Sequence, residues 1–137
     1  MKRVSLFITC LCDMFHANIG KATVEILENA GCEVDFPEKQ TCCGQPAFNS
    51  GYTRQSKKAM KQIMKAFSDS EFVVAPSGSC IGMLKEYPNI FAGDEIWEES
   101  AIDLAAKAYE LTEFLVDVLN IVDTGSKFRG KVTYHPS

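Results

Sequence analysis

The residues with the most chemistry in this chain are its cysteines, six in 137 residues. Cys10 is followed after 31 residues by the adjacent pair Cys42-Cys43, and after a further 36 by Cys80. Thiolates are soft ligands that select zinc, Cu(I) or iron–sulfur clusters. Adjacent cysteines rarely both reach one zinc ion, which prefers a C-x₂₋₄-C spacing, whereas two neighbouring thiolates can bind different irons of one cluster. Gly44 and Pro46 let the backbone turn close to a ligand, and Ser77, Gly78 and Ser79 offer N–H donors beside Cys80 that would tune a cluster. Two other chemistries compete. One is a zinc-stabilised structural or interaction module. The other is a thiol redox protein using Cys42-Cys43, ranked last because a vicinal disulfide is strained and the chain has no C-x-x-C.

These thiols need elements to carry them. Arg3 to Thr9 is β-branched and alternating, which predicts a buried first strand. Asn18 to Ala30 has helical spacing, with Asn18 as N-cap and Gly31 as the C′ glycine. Cys32 to Phe36 predicts a short strand, and 38–52 a long loop holding Cys42 and Cys43. Thr53 to Phe67 predicts an amphipathic helix. Glu71 to Ala75 is an apolar run of the buried parallel type. A break at 76–79 precedes a short helix from Cys80 to Glu86. Helices follow over Asp94 to Tyr109 and Thr112 to Leu119, and then a strand from Lys131 to His135. Strands alternating with helices predict an α/β fold, three-layer and Rossmann-like, with a mostly parallel sheet. Ligands in such sheets bind beyond the carboxyl ends of the strands. Cys10 and Cys80 are expected in loops after the first and third strands, so three segments deliver thiols to one sheet edge.

Composition narrows the rest. A hydrophobic fraction of 46% and a charged fraction of 23% exclude intrinsic disorder. A net charge of −4 provides no basic footprint for nucleic acid. The apolar start is too short for a secretory signal, and no stretch approaches a membrane span. The expected compartment is the cytoplasm, where thiols stay reduced.

The run Thr9-Cys10, then Cys42-Cys43-Gly44-Gln45-Pro46, then Ser77-Gly78-Ser79-Cys80 resembles the cysteine-rich CCG domain over nearly the whole chain. The similarity is greatest to the lactate-utilisation and glycolate-oxidase iron–sulfur members. It implies one CCG domain over 1–137, with Cys10, Cys42, Cys43 and Cys80 ligating an iron–sulfur cluster, [4Fe–4S] in type. Gly44, Gln45, Pro46, Ser77, Gly78 and Ser79 would surround it. Some members carry a fifth thiol three residues after the one matched by Cys80, and here that residue is Met83. The resemblance further implies an electron-transfer subunit of an L-lactate or glycolate oxidation complex, with other iron–sulfur or oxidoreductase subunits as partners. No residue is assigned as catalytic, and the chain is not expected to be a complete enzyme alone. Members carry two repeats, and the second would begin near His135-Pro136-Ser137, so a second CCG repeat is an expected partner.

The remaining residues of note have plainer expectations. Cys32, Met60, Met64, Met83 and Trp97 are expected to pack. Cys12 could be a spare ligand and His16 a helix-start residue, while His135 has no assigned role. Lys57, Lys58, Lys61 and Lys65 are expected to form a solvated helix face.

Overall fold

A computed structural model describes residues 1–134 of the chain, apart from the side chain of Leu11. At its centre β1 (Arg3–Leu6) pairs in parallel with β2 (Glu33–Asp35) on one side and β3 (Phe72–Ala75) on the other. A fourth parallel strand, β4 (Ala108–Glu110), lies beyond β3, giving the order β2-β1-β3-β4. Val4 stands in register between Val34 and Phe72, and Ser5 between Asp35 and Val73. Val73, Val74 and Ala75 are fully buried, as an inner strand with both faces covered requires.

Two apolar clusters lie on the two faces of the sheet. One gathers Phe7, Met60, Ile63, Phe67, Leu84 and Tyr87, and joins α4 (Thr53–Ala66), α5 (Gly78–Ile90) and α6 (Glu98–Lys107) to the sheet. The other gathers Val4, Leu27, Cys32, Val74 and Phe114, and joins α2 (Ala17–Asn29) and the last helical segment. Helices on both faces of a parallel sheet make the predicted three-layer α/β fold. Met60, Met64 and Met83 all fill the first cluster, and Cys32 the second.

Several boundaries depart from the sequence expectation. The first strand stops at Leu6, and a helix, α1 (Cys10–Phe15), follows. Thr9 causes the turn, because its buried side chain accepts the Cys12 N–H and caps that helix. Asn18 is not the cap of α2, which already begins at Ala17; Gly31, at φ +83°, does end it as expected. The long loop contains a short helix, α3 (Gln45–Asn49), and the helix expected from Cys80 runs from Gly78 to Ile90.

The helix expected to reach Tyr109 stops at Lys107, and Ala108–Glu110 becomes β4. Pairing with β3 and ring contacts of Tyr109 with Phe72 and Phe114, at 6.1 and 5.8 Å, override the helical periodicity. The helix expected from Thr112 to Leu119 is α7 (Leu111–Glu113) followed by a π-helical turn (Phe114–Val118). A capping box between Glu110 and Glu113 starts it. The last expected strand does not form over 131–134. Val132 and Tyr134 are 75% and 86% exposed there, and alternation without a neighbouring strand makes no ladder. His135, the end of that expected strand, lies outside the described residues.

Candidate metal centre

The strand order reverses direction at the β1–β3 boundary, and the crevice outside the carboxyl ends of those two strands is the usual ligand position in such a sheet. Cys10 follows β1 and Cys80 follows β3, but neither is in a loop. Cys10 is the first residue of α1 and Cys80 the third of α5. The first turn of a helix presents unpaired N–H groups and the positive end of its dipole, which favour a thiolate. Ser77 caps α5 by accepting the Cys80 N–H at 3.4 Å.

Cys42 and Cys43 arrive from the segment between β2 and α3. Gln40 ties that segment to the end of β1: the Ile8 N–H donates to its Oε1 at 2.9 Å, and its Nε2 donates to the Leu6 and Pro37 carbonyls at 3.0 Å. Its side chain thereby acts as a rung where the sheet has ended. Gly44 then turns the chain with φ +86°, and a Cβ there would sit 2.9 Å from Ser56 Oγ and 3.2 Å from its carbonyl oxygen. Two further bonds hold this backbone from the far side. Ser56 Oγ donates to the Gly44 carbonyl at 2.9 Å, and the buried Tyr87 hydroxyl donates to the Cys43 carbonyl at 2.6 Å.

The four thiols form two pairs. Cys10 Sγ lies 3.9 Å from Cys42 Sγ, and the Cys43 and Cys80 thiols are near enough to perturb each other's ionisation. Cys10 is exposed, Cys42 and Cys80 are half-buried, and Cys43 is buried. The Cys43 side chain, helped by the Ser77 and Ser79 hydroxyls, pulls the Cys80 thiol down to about 6 against its burial. The same proximity, together with burial, pushes Cys43 well above the ordinary thiol range, although the Gln45 N–H partly offsets this. Burial beside these sulfurs also raises the Tyr87 phenol. None of the six cysteines is in a disulfide. Among the described residues, no three His, Cys, Asp or Glu side chains stand close enough together to hold a single metal ion.

The residues expected around the thiols are placed as follows. Gln45 reaches Cys43 through its backbone, Ser77 and Ser79 reach Cys80 through their hydroxyls, and Gly44 forms the turn. Pro46 stands in the first turn of α3, and Gly78 opens α5. Met83, at the position of a fifth thiol, is 5% exposed within the core. Cys12 lines a cleft with Leu6 and Val34 that adjoins the one lined by Cys10 and Cys42. His16 is exposed between α1 and α2 and caps neither with its side chain. Trp97 packs against the core, and Lys61 and Lys65 lie over its ring at 5.3 and 5.5 Å. Lys57 lies over Phe91 at 5.1 Å, so of the expected solvated lysines only Lys58 has no ring beneath it among the described contacts.

Sequence reasoning missed Gln40, Ser56 and Tyr87. Two left a signal. Ser56 occupies a core position of α4, four residues before Met60, where a hydroxyl needs a buried partner. Tyr87 lies seven residues after Cys80 in α5, two turns along the same face.

A profile of the cysteine-rich domain, CCG, matches residues 4–85. The chain is 68% identical over 135 residues to the lactate utilization protein A of Oceanobacillus iheyensis, covering 98% of this chain and 55% of that protein. It is 64% identical to the protein of the same name from Geobacillus thermodenitrificans and 58% to that from Bacillus subtilis, with 98% of this chain covered in each and 56% and 57% of the relatives. The chain thus spans about half the length of the curated relatives it matches. No solved structure matches it.

Proposed function

This chain belongs to the cysteine-rich CCG domain family, and we propose that it forms one repeat of an iron–sulfur electron-transfer subunit in the oxidation of a 2-hydroxy acid, lactate in the first instance. The observation that carries the proposal is the arrangement of four thiols in two pairs, joined through the Cys42–Cys43 peptide, at the switch point of the sheet. A single tetrahedral ion prefers ligands spaced as C-x₂₋₄-C, and the adjacent Cys42 and Cys43 do not offer that spacing. A cluster with several irons takes one thiolate on each, so a divided but contiguous set of four suits it. The relatives' name supports lactate as the substrate of the pathway, with glycolate as a chemical neighbour.

In this account Cys10, Cys42, Cys43 and Cys80 hold a [4Fe–4S] cluster, which when bound would accept and pass on one electron at a time. The chain's own residues do the rest. Gln45 N–H and the Ser77 and Ser79 hydroxyls direct hydrogen bonds at the sulfurs, which sets their basicity. Tyr87, Met60 and Phe7, fully buried behind the thiols, exclude water from that side. Gly44 allows the loop to lie against α4, where a side chain would collide with Ser56. We give none of these residues a part in removing a hydride or proton from a hydroxy acid and assign that chemistry to partner subunits and a second CCG repeat. A reducing, cytoplasmic setting would keep such thiols available as ligands, and no helix among the described residues is long and apolar enough to cross a membrane.

The test is anaerobic reconstitution of the chain with iron and sulfide, followed by electron paramagnetic resonance before and after reduction. A signal that appears on one-electron reduction supports the account. One colourless zinc ion per chain would replace it with the structural-module reading.

A further inference from the structure

Two clefts meet beside Cys10 and Cys42. The first, of about 320 Å³, is lined by Ile8, Cys10, Asp13, Phe36, Glu38 and Cys42, with Gln40 and Thr41. The second, also about 320 Å³, is walled mainly by Leu6, Val24, Val34 and the same Ile8 and Phe36, with Cys12 inside it. Ile8, Asp13 and Phe36 border both, so the two form one groove running from the thiol pair to an apolar pocket under α2. Met14 and Phe15 project from α1 at 71% and 68% exposure, and Phe36 is 52% exposed. Of these, Phe36 lines the groove itself, and exposed apolar side chains at a cleft mark a contact surface. The charges lining the groove are the carboxylates Asp13, Asp35 and Glu38 against the single ammonium of Lys21.

This side is also where the site opens to solvent. Cys10 is the exposed member of the four thiols, whereas the side toward Met60 and Tyr87 is closed by the core. Electrons entering or leaving the site have their shortest protein path here. We propose that this groove docks an electron-carrier protein that presents an apolar projection ringed by lysine or arginine side chains. The inference rests on the electron-transfer reading above and adds the place and kind of partner. An apolar centre of modest area with opposite charges at its rim suits the brief contacts of redox pairs.

The probe is ferricytochrome c, a redox protein whose haem edge is ringed by lysines, mixed with the reduced, iron-loaded chain. One electron moves from the chain to the ferric haem, and no bond forms or breaks. The second-order rate should fall about 10-fold as ionic strength rises from about 0.01 M to about 0.15 M. Asp13→Lys combined with Glu38→Lys should lower the low-salt rate about 10-fold, and Phe36→Ser several-fold. Oxidation by neutral benzoquinone should stay within about twofold in each variant, which shows that fold and iron are intact. A cytochrome rate indifferent to these substitutions overturns the proposal. So does a concentration-dependent dimer that Phe15→Ser abolishes, since the face would then belong to a second copy. If the chain takes up no iron, the electron-transfer reading fails separately, before any mixing. The surface is then tested with zinc-substituted cytochrome c and the ¹⁵N-labelled chain. Resonance shifts confined to 6–24 and 34–42 support docking, and shifts absent or scattered elsewhere overturn it.

Discussion

The surroundings of Cys80 favour its thiolate. It stands in the first turn of α5, and the neighbouring Cys43 side chain with the Ser77 and Ser79 hydroxyls lowers it to about 6. In the reduced, metal-free chain it is protonated below that pH and a thiolate above it. Alkylation of Cys80 by iodoacetamide, followed by mass spectrometry of the peptide, should therefore rise through pH 6 and level off by neutrality. A midpoint near the ordinary thiol value of 9.0 would contradict the donor arrangement. Gly44 makes a second demand at this scale. Gly44→Ala meets both a positive φ and contacts of 2.9 to 3.3 Å with Ser56 and Met60, so it should cost about 2–4 kcal/mol in urea unfolding. Gly51, also at φ +83° but with nothing within 4 Å of an added Cβ, should cost less, about 1 kcal/mol, on the same substitution.

At the scale of elements, the site is held by what lies behind it. α5 contributes Cys80 at its start and Tyr87 two turns later, so one rigid helix sets both a thiol and the backbone of the opposing pair. Tyr87→Phe keeps the ring packing but leaves the buried Cys43 carbonyl without its donor. It should destabilise the chain by about 1–3 kcal/mol in thermal or urea melts, and a change below about 0.5 kcal/mol would count against that bond. Much of this framework was legible in the residues: the strands around Val4, Val34 and Val73, α2 with its closing Gly31, and α4 with its Met60–Ile63–Met64 stripe. What failed has a common cause. β4 forms against a helical pattern and the 131–134 segment stays unpaired despite an alternating one, because a strand exists by virtue of its neighbour and not of its pattern alone. α1 was hidden because the capping role of Thr9 depends on where β1 ends.

The whole molecule is a doubly covered parallel sheet whose switch point lies between β1 and β3, and this topology makes distant cysteines neighbours. The convergence of Cys10, Cys42, Cys43 and Cys80 could be foreseen from strand order; their division into two pairs could not, since it depends on side-chain directions. Cys12 and Cys32 carry the same functional group but stand in the adjoining cleft, off the lining that Cys10 and Cys42 share, and in the core. That contrast makes the most direct test possible. Iron is to be counted per chain after anaerobic reconstitution, in the parent and in six single variants. The account predicts about four irons in the parent, in Cys12→Ser and in Cys32→Ala, and a marked loss in Cys10→Ser, Cys42→Ser, Cys43→Ser and Cys80→Ser. Iron retained in the last four, or lost as fully in Cys12→Ser as in Cys80→Ser, would contradict it.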